Sequence, residues 1–87
     1  HRNIADVYAI IDRMEASDRA KELSRKMFRI VAEAEAKAHG LPIEQVHFHE
    51  VGAVDSIVDI VGAAACAVDL GITETYLSTI YEGQGHV

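Results

Sequence analysis

Residues 18–39 read DRAKELSRKMFRIVAEAEAKAH, and the spacing of their apolar side chains decides the fold. Leu23, Met27, Ile30, Val31, Ala34 and Ala38 recur every three or four positions, which is the period of one helix face. Ser17, just before the run, is a good N-cap, and Asp18 suits the positive end of the helix dipole. Gly40 is a natural stop, with Pro42 two residues on. Met27 and Phe28 belong to the core, whereas Glu33, Glu35 and Lys37 fall on the solvated side. His39 lies in the last turn, where a cation is favoured by the dipole, and reads as a surface or capping histidine.

On the N-terminal side, Ile4, Val7, Tyr8, Ile11 and Met14 predict a helix over 4–14, with Asn3 as N-cap and Asp6 in the capping-box position. On the C-terminal side, Pro42 to Gln45 read as one helical turn with Pro42 at its first position. Val46 to His49 alternate apolar and polar, which predicts a short strand with His47 and His49 on one side, about 7 Å apart at their backbones. Residues 53–70 predict a third helix stopped by Gly71 and buried on most sides. Its core face is Val54, Ile57, Val58, Val61, Ala64, Ala65 and Val68. Residues 74–81 read as a strand through Tyr76, Leu77, Thr79, Ile80 and Tyr81. The expected fold class is therefore mainly α with minor β (α+β). It has three helices and one or two short strands, at 46–49 and 76–81, which pair with each other or with a sheet outside the chain.

Eighty-seven residues make one small unit, 1–87, with no internal linker or repeat. A core of Ala, Ile, Val and Leu in so short a chain is marginal alone, so a parent domain, partner surfaces or a homo-oligomer are expected to support it. The chain begins with His1 and stops at Val87 just after Gly83-Gln84-Gly85. Both ends read as cuts, so a fragment is expected. The formal charge of −6 argues against a general nucleic-acid binder. The bases Arg13, Arg19, Lys21, Arg25, Lys26 and Arg29 cluster, and a solvated helix face is the simpler account than a phosphate-facing patch. The lone Cys66 lies in an apolar helical run and reads as a buried structural thiol. The apolar run Ile60–Val68 is too short to span a membrane, and the cytoplasm is the expected location.

The stretch HFHEVGAVDSIVD, residues 47–59, holds two imidazoles and three carboxylates within thirteen positions. Imidazole with carboxylate suits zinc, nickel, iron or manganese, and also acid–base work near neutral pH. The candidate metal ligands are His47, His49, Glu50, Asp55 and Asp59, with Glu50 and Asp55 as candidate acid–base groups. Asp55 and Asp59 share a helix face, where two stacked carboxylates on an apolar helix repel and lose solvation unless a cation answers them. The dipole accounts for Asp55 alone. Glu50 has a capping reading, and Gly52 a close-approach or positive-φ reading. The His-Glu-x-x-His zinc motif is absent, and so is a compelling Ser-His-Asp order around Ser56. His1 and His86 join a site only if the termini fold back.

The run HFHEVGAVDSIVDIVGAAAC, residues 47–66, resembles the signature segment of LarC-type nickel insertion proteins. The helix ending AEAEAKAHG and the opening HRN are similar too. The likeness covers most of residues 1–80 and weakens after Tyr76. It implies insertion of nickel into a pyridinium bisthiocarboxylic acid mononucleotide, a lyase-class chelatase reaction giving the nickel-pincer cofactor of lactate racemase. It also implies CTP hydrolysis with manganese or magnesium, in a separate C-terminal domain that has no matching segment here. The chain would then be an internal piece of the N-terminal domain, inactive by itself. The mononucleotide and the rest of the parent protein would be its partners. Under this resemblance His47, His49 and Glu50 would handle nickel. Asp55 and Asp59 would be ligands, would orient the imidazoles, or would take the carbon proton. Two other readings stand beside it: a helical interaction or oligomerisation module with structural His and Asp, and a fragment of a divalent-metal hydrolase.

Overall fold

The computed structural model describes residues 2–49 and 52–83. Four helices make up almost all of it: α1 (Ile4–Asp12), α2 (Asp18–His39), α3 (Val54–Leu70) and α4 (Thr73–Gly83). A single 3-10 turn, Ile43–Gln45, precedes the non-helical residues 46–49.

The helix ends follow from side-chain chemistry. Asn3 and Asp6 form a reciprocal capping box. The Asp6 N–H donates to Asn3 Oδ1 at 2.9 Å, and the Asn3 N–H donates to Asp6 Oδ2 at 3.1 Å. The Ser17 hydroxyl accepts the Ala20 N–H at 3.1 Å. Gly40 and Gly71 end α2 and α3 in the left-handed region, at φ 65° and 71°, where a Cβ would be strained. Pro42 precedes the 3-10 turn in extended geometry and is not its first residue.

The long helix α2 organises the rest, because α1, α3, α4 and the 3-10 turn all pack on it. Val7 and Ile11 of α1, Phe28 of α2 and Ile57 of α3 are fully buried. Phe48 closes this core from below, edge-on to Phe28 with ring centroids 5.8 Å apart at 80°. A smaller cluster of Leu23, Ala64 and Ala67 joins α2 to α3, with Tyr76 and Leu77 of α4 packed on it. Where α1 meets α2, Lys21 Nζ donates to the Asp12 carbonyl at 2.9 Å and Arg25 pairs with the Asp12 carboxylate at 2.9 Å. Arg25 also reaches Glu22, and Arg29 reaches Glu33. Half of the clustered bases are thus committed to contacts within the chain.

The expected α+β class does not hold: there are four helices, and no sheet among the described residues. Residues 74–81 are helix α4, not a strand. Thr75, Tyr76, Thr79, Ile80 and Tyr81 favour strands by composition, but Tyr76, Leu77 and Ile80 lie on one helical face, and that face packs against the cores formed with α2 and α3. Partial burial of that face overrides the weak intrinsic preference. Residues 46–49 form no strand: Val46 is extended and His49 lies at a bend, and their pairing is one isolated antiparallel bridge, between Phe48 and Arg2.

Helix α3 is also less enclosed than its composition suggests. Ile57, Val61, Ala64 and Ala67 face the core, but Val54, Val58 and Leu70 are 50%, 52% and 71% exposed. Cys66 is exposed rather than a buried thiol. No helix among the described residues is long and apolar enough to cross a membrane.

Candidate functional site

The segment 46–49 is anchored by packing and hydrogen bonds although it belongs to no sheet among the described residues. Its alternation sends Val46 and Phe48 into the core, at 4% and 5% exposure, and leaves His47 and His49 exposed. The Phe48 N–H donates to the Arg2 carbonyl at 2.7 Å. The Arg2 guanidinium then reaches past it, Nη1 donating to the Gly52 carbonyl at 2.8 Å. Arg2 therefore clamps the chain on both sides of His49. Gly52 is needed here for close approach, not for a positive φ. A Cβ at this position would stand 2.8 Å from Phe48 Cβ and 3.1 Å from the Phe48 carbonyl oxygen.

His47 and His49 line one groove of about 250 Å³, together with Glu35 and His39 from the end of α2. His39 Nε2 stands 3.3 Å from Glu35 Oε2, one helical turn apart. Asp55 and Asp59 are not part of this groove. Both are exposed on α3, and Asp55 accepts the neighbouring Ser56 N–H at 3.2 Å. Their exposure removes the desolvation cost that made the pair look anomalous, and the helix dipole accounts for Asp55. Glu50, His1 and His86 lie outside the described residues. Among the described residues, no three of His, Cys, Asp and Glu stand close enough together to hold a metal ion.

Sequence reasoning missed two of these participants. His39 is in the last turn of α2, as expected, but the capping reading gave no reason to join it to His47 and His49. The link arises because Gly40 and the 3-10 turn bring the chain back alongside α2. Arg2 had no sequence signal at all, since its role is set by its carbonyl and by a guanidinium that reaches fifty positions along the chain.

These features define a class: a small all-helical module that presents imidazoles beside a groove on a clamped, non-helical segment. The nickel insertion protein family matches over residues 1–87, and the chain belongs to that family. It is 64% identical over all 87 residues to a pyridinium-3,5-bisthiocarboxylic acid mononucleotide nickel insertion protein of Alkaliphilus metalliredigens. It is 53% identical over 87 residues to a putative nickel insertion protein of Geotalea uraniireducens, and 51% identical over 86 residues to a mononucleotide nickel insertion protein of Acetivibrio thermocellus. The matches take in 100%, 100% and 99% of this chain, which spans only 21%, 22% and 21% of those relatives. No solved structure matches the chain.

Proposed function

We propose that this chain is part of a protein that inserts nickel into a pyridinium bisthiocarboxylic acid mononucleotide. The observation that carries the reading is the 64% identity, across every residue of the chain, to a relative named for that substrate. Support comes from His47 and His49, both exposed and lining one groove on a segment that Arg2 anchors. Imidazole nitrogen suits nickel, and a clamped backbone limits the ordering cost of gathering ligands. In this account His47, His49 and Glu50 hold the incoming nickel. A carbon–nickel bond forms as a ring carbon gives up its proton, and Glu50 or Asp55 is the base that takes it. Asp59, one turn from Asp55, orients ligands or adds one.

The finer parts of the reading rest on the likeness of residues 47–66 to LarC-type proteins. The product is the nickel-pincer cofactor of lactate racemase, made by a lyase-class enzyme in the cytoplasm. CTP with manganese or magnesium drives the insertion from a C-terminal domain outside these 87 residues, and the 87 residues alone do not turn over.

The test is cofactor maturation in cells that depend on the longer protein. Replacing His47 and His49 together with alanine should abolish the nickel-loaded mononucleotide seen by mass spectrometry. Undiminished nickel cofactor in the double variant would overturn the roles given to the two histidines. The interaction-module reading keeps one observation of its own, the exposed Val54, Val58 and Leu70 on α3. Such exposed apolar side chains are equally suited to pack against the remainder of a longer protein.

A further inference from the structure

We infer that the outer face of α3 at Val54, Val58, Gly62 and Ala65 is an internal docking seam, covered by an apolar segment with flanking bases from elsewhere in the same polypeptide. The inference rests on the reading above that the chain is part of a longer protein, and it assigns no nickel ligand.

The four residues are spaced four, four and three apart, so they form one stripe along the helix. Val54 and Val58 are 50% and 52% exposed, although Ile57 and Val61 of the same helix are buried. A lone exposed valine needs no explanation. Here Val58, Gly62 and Ala65 share a groove of about 430 Å³ with Met14 and Ala16, just after α1. A contiguous apolar surface of this kind marks a contact site.

Gly62 is the sharpest signal. A glycine inside a helix destabilises it relative to alanine. Apart from the helix's own backbone, nothing among the described residues lies within 4 Å of a Cβ placed there. Packing within the chain therefore gives no reason for the missing side chain. A backbone arriving from outside does, because glycine permits the closest approach of two backbones.

The flanks of the stripe set the chemistry of that segment. Glu15, Asp55, Asp59 and Asp69 are all exposed, and α3 has no basic residue. None of the four acids is in an ion pair among the described residues. Lysine or arginine beside the incoming apolar residues answers these carboxylates. A second copy of this chain would instead set the same acids against one another. The rest of the polypeptide is the source with enough chain. The matched stretch is 21% to 22% of the three relatives named above, so nearly four-fifths of their length lies outside it.

The experiment uses the purified longer protein over a dilution series, with its oligomeric state followed by light scattering. Val58→Cys changes the volume little, and its thiol reads the cover directly. Alkylation in the folded protein, followed by mass spectrometry of the peptide, should be about 10-fold or more slower than after unfolding in urea. Labelling as fast as in the unfolded protein would overturn the seam. Protection that disappears on dilution would also overturn it, since a second copy would then be the cover. Gly62→Leu adds a side chain whose Cβ meets nothing within residues 1–87, so the clash reports a backbone from outside. The melting temperature of the longer protein should fall by about 2–6 °C. An unchanged or raised value would overturn the close approach at Gly62. Freely labelled Val58→Cys with intact nickel cofactor would strike this inference and leave the proposed function standing. A protected thiol, with undiminished cofactor in the His47→Ala, His49→Ala double variant, would uphold the seam and overturn the histidine roles.

Discussion

Replacing Gly52 with alanine probes the junction on which the site depends. The added Cβ would meet Phe48 Cβ at 2.8 Å and the Phe48 carbonyl oxygen at 3.1 Å. Neither atom is the free end of a flexible side chain. Phe48 is also fixed by its ring against Phe28 and by its N–H on the Arg2 carbonyl. Relief therefore requires the backbone of 48–52 to move, and overpacking of this kind costs about 1–3 kcal/mol. Alanine regains roughly 0.4–1 kcal/mol by restricting the unfolded chain. The net expectation is a loss of about 1–2 kcal/mol, or roughly 5- to 30-fold in the unfolding constant. In urea, with a slope near ~1 kcal/mol per molar for so small a chain, the midpoint should fall by about 1–2 M. Gly62→Ala is the matched control. Nothing lies within 4 Å of its added Cβ on α3, so it should gain about 0.5–1 kcal/mol from helix propensity. A Gly52→Ala midpoint equal to or above wild type would refute the close approach of residues 48 and 52, and with it the clamp that presents His47 and His49.

Phe28→Ala should cost about 3–5 kcal/mol in urea unfolding, because it empties a fully buried ring site and removes the partner of Phe48. A loss below about 1 kcal/mol would show that the core is not centred there. Arg2→Ala should cost about 1.5–3 kcal/mol, as expected for a hydrogen bond from a charged group, and should raise amide exchange at Phe48. Unchanged stability would remove the Arg2 guanidinium from the clamp, since the backbone carbonyl that accepts the Phe48 N–H is retained. Alkaline pH should destabilise the fold. Burial pushes the Tyr8 and Tyr76 phenols up, although Arg29 opposes this at Tyr8. Above about pH 10 the unfolded chain therefore gives up these protons first. Stability is intact below that pH and falls as the pH rises through the raised values. Melting temperature should drop from pH 10 upward, and less so in Tyr76→Phe; a flat profile to pH 11 would contradict the burial of both phenols.

The helix signals that were legible are those fixed by neighbours in sequence. Ser17, Gly40 and the stripe from Leu23 place α2 at the residues where it is found, because caps and amphipathic spacing act within one or two turns. The same locality exposed the alternation at 46–49 that sends both imidazoles outward. What failed depended on distant packing. The residues of α4 resemble a strand until Tyr76 and Ile80 are seen to share a face against the core. Val54 and Val58 were placed in the core because an apolar side chain does not announce which side of a helix is covered. Asp55 and Asp59 fall one turn apart on α3 as expected, but both are exposed and neither lines the histidine groove. The part of the site that His39 and Arg2 supply is a property of the folded chain, and one sequence read alone does not carry it.

The central claim is that His47 and His49 take up nickel on the clamped segment. Nickel X-ray absorption of the protein loaded with one equivalent of the ion tests it most directly, wild type against the His47→Ala, His49→Ala double variant. The account predicts imidazole scattering around nickel in the wild type and its loss or marked reduction in the double variant. Identical spectra from the two proteins, or nickel surrounded by oxygen alone in the wild type, would contradict it.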